Sequence, residues 1–126
     1  MTKTDRYLQY LAAERASGHM YRALADMTSG QRREALLELA SIEDRHAAHW
    51  MALLHTAGVQ IPEDTGELEP DDAQVLQRAR NMGLDAVLGD LEQAERDAQG
   101  MYDAEPDALP GMSQDEREHA AVLAGL

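Results

Sequence analysis

Two Glu-x-x-His motifs in this sequence combine residue types and a spacing that suit metal binding. Glu43 and His46 form the first motif, and Glu116 and His119 form the second. Residues three positions apart lie on the same side of an α-helix, so each motif presents a carboxylate and an imidazole together. These two groups are ligands that suit Fe(II), Mn(II) and Zn(II). The motifs therefore predict two helices that each contribute a Glu and a His to a metal site.

Two further glutamates precede the motifs in an internal repeat. Tyr21 follows Glu14 at the spacing at which Tyr102 follows Glu95. Each half of the chain is then a helix with one Glu followed by a helix with Glu-x-x-His. Two such halves, related by a pseudo-twofold axis, predict two equivalent metal positions. We expect Tyr21 and Tyr102 to hydrogen-bond the metal-binding carboxylates, the other interpretation being core aromatics with buried hydroxyls.

Three positions have a competing interpretation. Ser113 and Glu116 have the spacing of a capping box, in which Glu116 would only accept a hydrogen bond from a backbone N–H. His119 could be a hydrogen-bonded core histidine instead of a ligand. Glu92 lies one helical turn before Glu95 and could replace it or supply an additional ligand. The sequence leaves these alternatives open.

Helix-forming residues and apolar periodicity predict the elements that carry these side chains. Ala, Leu, Glu, Gln, Arg and Met dominate the composition, and all favour helices. Apolar residues recur at alternating spacings of three and four, with an inward Glu in each helix. Carboxylates that converge in a core repel one another unless cations neutralise them, which favours the metal interpretation. The predicted fold is an all-α, antiparallel four-helix bundle with a short fourth helix, its helices covering about residues 5–27, 31–57, 71–103 and 113–126.

The composition limits the classes of protein to consider. The 126 residues suit a single domain, residues 1–126. The 24 Asp and Glu against 11 Lys and Arg give a formal charge of −13, which argues against nucleic-acid binding and favours cations. The absence of Cys excludes disulfides and thiolate metal sites. Without a visible signal peptide or an apolar run of about 20 residues, the sequence predicts a cytoplasmic chain with no membrane span.

The pattern of Glu, His and Tyr resembles that of the ferritin-like superfamily, which includes ferritins, bacterioferritins and rubrerythrins. The residues that carry the resemblance are Glu14 with Tyr21, Glu43-x-x-His46, Glu95 with Tyr102, and Glu116-x-x-His119. The chain is most similar to the rubrerythrin-like domains that precede the membrane part of vacuolar-iron-transporter-like proteins, also called membrane-bound ferritins. The connector between its helix pairs is short, and a short Pro-Gly hairpin precedes its fourth helix.

The resemblance implies a ferritin-like fold that binds two iron ions, with Mn or Zn as alternatives. The ligands that it implies are Glu43 and Glu116 as bridges, Glu14 and His46 on one ion, and Glu95 and His119 on the other. The implied activity is a ferroxidase reaction, in which O₂ or peroxide oxidises Fe(II) and the product feeds iron storage or transport. The alternative function is a non-catalytic domain that senses iron and regulates a transporter. A third hypothesis is a helical interaction module whose core binds no metal.

The last helix also bears on partners of the domain. It ends soon after His119, so part of the bundle's end is poorly covered, and we expect a homodimer to cover it. The sequence stops at Leu126 inside a predicted helix, and the resemblance implies a membrane transporter domain that would follow it. Such a domain would tether the cytoplasmic part at a membrane.

Overall fold

The computed structural model describes every residue from Met1 to Leu126 and contains helices but no strands. A short 3₁₀ helix, Leu84–Ala86, lies between the third and fourth α-helices. The predicted all-α class is confirmed. The five α-helices are α1 (Lys3–Asp26), α2 (Gly30–Thr56), α3 (Pro70–Met82), α4 (Leu88–Ala98) and α5 (Met112–Ala124).

The two long helices, α1 and α2, form an antiparallel hairpin. The ring of Tyr7, near the start of α1, stacks on Trp50, near the end of α2, with a centroid distance of 5.4 Å. Farther along α1, Arg22 forms an ion pair with Asp44 of α2. Residues later in α1 therefore contact residues earlier in α2, so the two helices are antiparallel. The hairpin places Glu14 and the first Glu-x-x-His motif on facing sides.

The predicted third helix, residues 71–103, is wrong in its continuity and in its end. Its backbone breaks at Gly83, whose φ of 92° lies in the left-handed region that favours glycine. The chain then forms the 3₁₀ helix and α4, which ends at Ala98, and turns follow from there. The apolar stripe did not reveal the break because Leu84 and Val87, directly beyond Gly83, are also buried.

The short fourth predicted helix corresponds to α5, and its start differs from the expected cap. Gly111, with φ of 95°, occupies the N-cap position, and no side chain caps the helix. Ser113 is already inside α5, so the capping box that would have occupied Glu116 does not form. The side chain of Glu116 is thereby free for another role.

The core consists of two apolar clusters with polar side chains between them. The larger cluster includes Leu24 of α1 and Leu36 of α2. The smaller cluster includes Leu11 of α1 and Trp50 of α2. On α1, Glu14 lies between the residues that enter one cluster and those that enter the other, and Glu43 on α2 and Glu116 on α5 have the same position. The apolar clusters thus seal both ends of a polar layer.

The connector between α2 and α3 lies against α1. A ring nitrogen of His19 donates a hydrogen bond to Asp64 at 2.7 Å, and Arg15 donates to the carbonyl oxygen of Pro62 at 2.7 Å. These contacts hold the connector without reaching the polar layer. Separately, none of the helices has the length and apolar content that crossing a lipid bilayer requires.

Candidate metal centre

Four helices bring six ionisable side chains into the polar layer. We call this set the Glu/His cluster. Each member is at most 6% exposed, although Glu and His are rarely so deeply buried in proteins. The cluster contains every metal ligand that the two motifs and the internal repeat predict: Glu14 from α1, Glu43 and His46 from α2, Glu95 from α4, and Glu116 and His119 from α5.

The cluster divides into two groups of four residues whose potential ligand atoms lie within 4.8 Å of one another. Glu43 and Glu116 belong to both groups. Glu14 and His46 complete the first group, and Glu95 and His119 complete the second. The rings of the two histidines lie 6.5 Å apart and are nearly parallel, with an interplanar angle of 16°. Each group could hold one metal ion, and the two groups share the carboxylates of Glu43 and Glu116.

The distances inside the cluster suit ligands of a shared cation. His46 Nδ1 lies 3.4 Å from Glu14 Oε2 and 3.3 Å from Glu116 Oε1, and His119 Nδ1 lies 2.8 Å from Glu43 Oε1. None of these pairs has hydrogen-bond alignment. Two ligand atoms that are each about 2.1 Å from one ion, at right angles, are about 3 Å apart. The nitrogen and oxygen atoms therefore point towards common positions between them.

Unpaired polar atoms give a stricter test of whether the cluster fits a cation. A buried polar atom without a hydrogen-bond partner costs about 1–3 kcal/mol. The buried side-chain atoms that lack a partner are Glu14 Oε2, Glu43 Oε1, His46 Nδ1, Glu95 Oε2, Glu116 Oε1, and both ring nitrogens of His119. All of them belong to the Glu/His cluster. A divalent cation would satisfy the oxygens and the two Nδ1 atoms together, so the residues fit such a group.

Glu105 shows how a buried carboxylate is satisfied elsewhere in this protein. It is 9% exposed, accepts a hydrogen bond from Arg6 Nε at 2.8 Å and accepts another from the Tyr10 hydroxyl at 2.9 Å. The Arg6 guanidinium therefore lowers the pKa of Glu105. The Glu/His cluster contains no Lys or Arg, so its negative charge has no such partner.

Two tyrosines hold cluster carboxylates across the halves of the repeat. Tyr21, in the first half, donates a hydrogen bond to Glu95 of the second half, and Tyr102 of the second half donates to Glu14 of the first. Trp50 Nε1 in turn donates to the Tyr102 hydroxyl at 3.1 Å. Burial and the adjacent carboxylates raise the pKa of both tyrosines, which keeps their hydroxyls protonated as donors. The expected carboxylate contacts of Tyr21 and Tyr102 are therefore present.

The close approach of several buried acidic groups changes the pKa values within the cluster. Burial, together with the nearby carboxylates of Glu14 and Glu116, raises the pKa of Glu43 to about 12. Burial also raises the pKa of Glu116 to about 7. Burial alone would lower the pKa of His46, but its contacts with Glu116, Glu14 and Asp115 raise that pKa to about 10. Near pH 7 the cluster thus retains protons at positions where a divalent cation would supply the positive charge.

Asp115 is a residue of the site that the sequence motifs did not single out. Its carboxylate lies 2.7 Å from His46 Nε2, the ring nitrogen that faces away from the cluster. The repeat aligns Asp115 with Ile42, and accordingly Nε2 of His119 has no partner. The signal in the sequence that could have indicated Asp115 is that an acidic residue directly precedes only the second Glu-x-x-His motif. The two halves are thus unequal, although the six cluster residues are paired by symmetry.

This inequality leads to the expectation that Asp115→Asn weakens one metal position and spares the other. A carboxylate on the outer nitrogen of a histidine fixes the ring and makes it a better ligand, and its loss costs about 10- to 100-fold in metal affinity. Calorimetric titration with Co(II) should show one of two binding steps weakened by that factor. Glu118→Gln, which removes the same charge from the exposed face of α5, should leave both steps unchanged. Equal weakening of both steps by Asp115→Asn would contradict the assignment.

Other candidate residues lie outside the cluster. Glu92, the alternative to Glu95, is half-buried and accepts a hydrogen bond from Arg96 on the same helix. It belongs to neither group of potential ligands. His49 donates a hydrogen bond to the backbone carbonyl of Asp107 and also stays outside. The geometry therefore favours Glu95 as the fourth inward glutamate.

Comparison with known proteins identifies no relative of this chain. No protein-family model matches this chain, and neither a curated protein nor a solved structure does. The function proposed next therefore depends on the Glu/His cluster, its distances and its unpaired atoms.

Proposed function

We propose that this chain is a ferritin-like protein that binds two Fe(II) ions in the Glu/His cluster and oxidises them. The observation that carries the proposal is the pair of four-residue groups that share Glu43 and Glu116. The unpaired buried atoms, all on cluster residues, support it because the cluster lacks any other source of positive charge than protons.

The proposed architecture is an antiparallel four-helix bundle formed by α1, α2, α4 and α5, with α3 packed beside it. Each helix supplies one Glu to the polar layer, and α2 and α5 each add a His. In this proposal Glu43 and Glu116 would be shared by the two ions. Glu14 and His46 would complete the ligands of one ion, and Glu95 and His119 would complete those of the other.

Iron is the preferred metal among those that carboxylate and imidazole ligands suit. Fe(II), Mn(II) and Zn(II) all accept this ligand set, and the absence of Cys argues against a site for soft metals. Two Fe(II) ions together supply two electrons, which with two protons reduce O₂ to hydrogen peroxide, or peroxide to water. The apolar clusters above and below cover the two ends of the polar layer. Tyr21 and Tyr102 keep the terminal carboxylates Glu95 and Glu14 oriented.

Anaerobic loading with Fe(II), followed by O₂, tests this function directly. We expect about two iron ions per chain, consumption of O₂ and an Fe(III) absorbance. Metal binding without O₂ consumption would favour the non-catalytic, iron-sensing alternative. Purified protein that binds no divalent metal would contradict the proposal and favour the metal-free interaction module. The homodimer, the cytoplasmic location and a following membrane domain stay predictions.

A further inference from the structure

A groove between α1 and α4 connects the protein surface with the Glu/His cluster. It consists of two adjoining, partly open cavities of about 70 Å³ and about 90 Å³. Ser17 of α1 and Ala94 and Glu95 of α4 line both cavities, so the two lie side by side. We call these cavities the α1–α4 groove. The inner cavity reaches all four cluster carboxylates, whereas the outer one reaches Asp72 of α3.

Small side chains keep this groove open. On α1 the inner cavity is lined by Ala13 and Ser17, and on α4 by Ala94 and Ala98. Ala13 and Ala94 are exposed, so solvent meets the seam between the two helices directly. Side chains of the size of Leu at these positions would fill a space that is only a few water molecules across.

The two ends of the groove each carry a carboxylate without a basic partner. At the inner end Glu95 is 6% exposed, and its Oε2 atom has no hydrogen-bond partner. At the outer end Asp72 is half-buried in the first turn of α3 and forms no ion pair. Asp71 is adjacent to Asp72 but exposed, and it does not line the groove. A cation that enters through the outer cavity would therefore meet Asp72 and Glu95 before it meets the other three cluster carboxylates, which line only the inner cavity.

Resting on the function proposed above, we propose that the α1–α4 groove is the access route for divalent cations, with Asp72 as their first binding residue. An octahedral cation in water has about six ligands. In the outer cavity of about 70 Å³, the Asp72 carboxylate can replace some of these waters as the cation enters. The formal charge of −13 raises the concentration of cations near the protein surface as a whole.

A second surface cavity shows why access is assigned to this groove. It lies between α2 and α5 and has a volume of about 140 Å³, and its lining includes the apolar Ala35, Ile42 and Val122 together with Glu38 and Glu118. Of the cluster it reaches only His119 and none of the carboxylates. A cation that passed Glu38 and Glu118 in this cavity would therefore meet none of the four cluster carboxylates, and the cavity serves as a control position.

Stopped-flow mixing of the purified chain with Co(II) tests the route, because Co(II) binding changes visible absorbance. Asp72→Asn should slow loading about tenfold, as expected for loss of a charge that the groove focuses onto an entering cation, and leave the final stoichiometry at two ions per chain. Asp71→Asn removes the same charge from the neighbouring exposed position and should load at the wild-type rate. Ala94→Leu should also slow loading, whereas Ala35→Leu, in the cavity beside His119, should not.

Three results would overturn the route. Asp72→Asn and Ala94→Leu could both load at the wild-type rate, or Asp71→Asn could slow loading as much as Asp72→Asn, which would show a general charge effect. The third result is that Ala35→Leu alone slows loading, which would assign access to the cavity between α2 and α5. Wild-type protein that binds no Co(II) at equilibrium would instead show that the metal-binding function itself has failed.

Discussion

Replacing Glu43 with Gln should raise the unfolding free energy of chelator-treated protein by about 3 kcal/mol at pH 7 and abolish its stabilisation by metal. Burial and the neighbouring carboxylates raise the pKa of Glu43 to about 12 in the folded chain, from an ordinary value of 4.5. Folding at pH 7 therefore requires Glu43 to take up a proton, which is unfavourable. Glutamine has the shape of the protonated acid and needs no proton, but it is a poor bridge between cations.

The pH dependence of this gain has a definite sign. A carboxyl group whose folded-state pKa is raised stabilises the fold fully below its unfolded pKa and loses that contribution as pH rises towards the folded value. For Glu43 the window runs from about 4.5 to about 12. The advantage of Glu43→Gln over the wild type should thus be below about 1 kcal/mol at pH 5 and increase steadily above it.

Thermal unfolding with and without metal measures both effects. In chelator the variant should melt about 10 °C higher than the wild type at pH 7. With Co(II) at about a hundredfold excess over Kd, the wild type should gain about 3 kcal/mol and Glu43→Gln almost nothing. Glu34→Gln, an exposed substitution on the same helix, should change neither value. If Glu43→Gln destabilised the chelator-treated protein, Glu43 would be a structural residue and the bridging role would be wrong.

The six cluster residues could be predicted because helix geometry determines their relative positions locally. Glu43 and His46 are three residues apart on a continuous helix, as are Glu116 and His119, so burial of one residue brings the other with it. The inward Glu of α1 followed from an apolar stripe in the same way. That the four helices meet at one level was suggested by the repeat, which gives both halves the same order of features.

The features that escaped prediction depend on the backbone or on contacts between helices. An apolar stripe indicates which side chains are buried, and it continued through Gly83 although the helix did not. The contact between Asp115 and His46 depends on how α5 is rotated relative to α2, which no local spacing encodes. The groove at Ser17 and Ala94 arises likewise from two helices that are distant in sequence.

Metal binding should release at least two protons per chain near pH 7, and this is the second large effect that the cluster geometry leads us to expect. Contacts with Glu116, Glu14 and Asp115 raise the pKa of His46 to about 10 against the opposing effect of burial, and Glu43 has a pKa of about 12. A metal ion binds the neutral imidazole and the ionised carboxylate, so each group must lose its proton on loading. Two released protons make the apparent association constant rise about 100-fold per pH unit.

Because of Glu116, the number of protons released on metal binding should also depend on pH. Its pKa of about 7 means that it contributes to proton release at pH 6 but is ionised beforehand at pH 8.5. Release should therefore fall by about one proton between these two pH values, while the contributions of Glu43 and His46 persist. A simple surface site of ionised carboxylates would release almost no protons at either pH, so the proton count distinguishes the buried cluster from general cation binding by an acidic protein.

Calorimetry of anaerobic Co(II) binding in buffers of different ionisation enthalpy gives this count directly. His55→Ala removes an exposed histidine from the same helix as His46 and should leave the count unchanged. Asp115→Asn should reduce the proton affinity of His46, because one of the three contacts that raise its pKa is weakened, and should therefore lower release at alkaline pH. A release near zero at pH 7 would mean that the buried acids and His46 keep their protons when metal binds, and the ligand assignment of Glu43 and His46 would then be wrong.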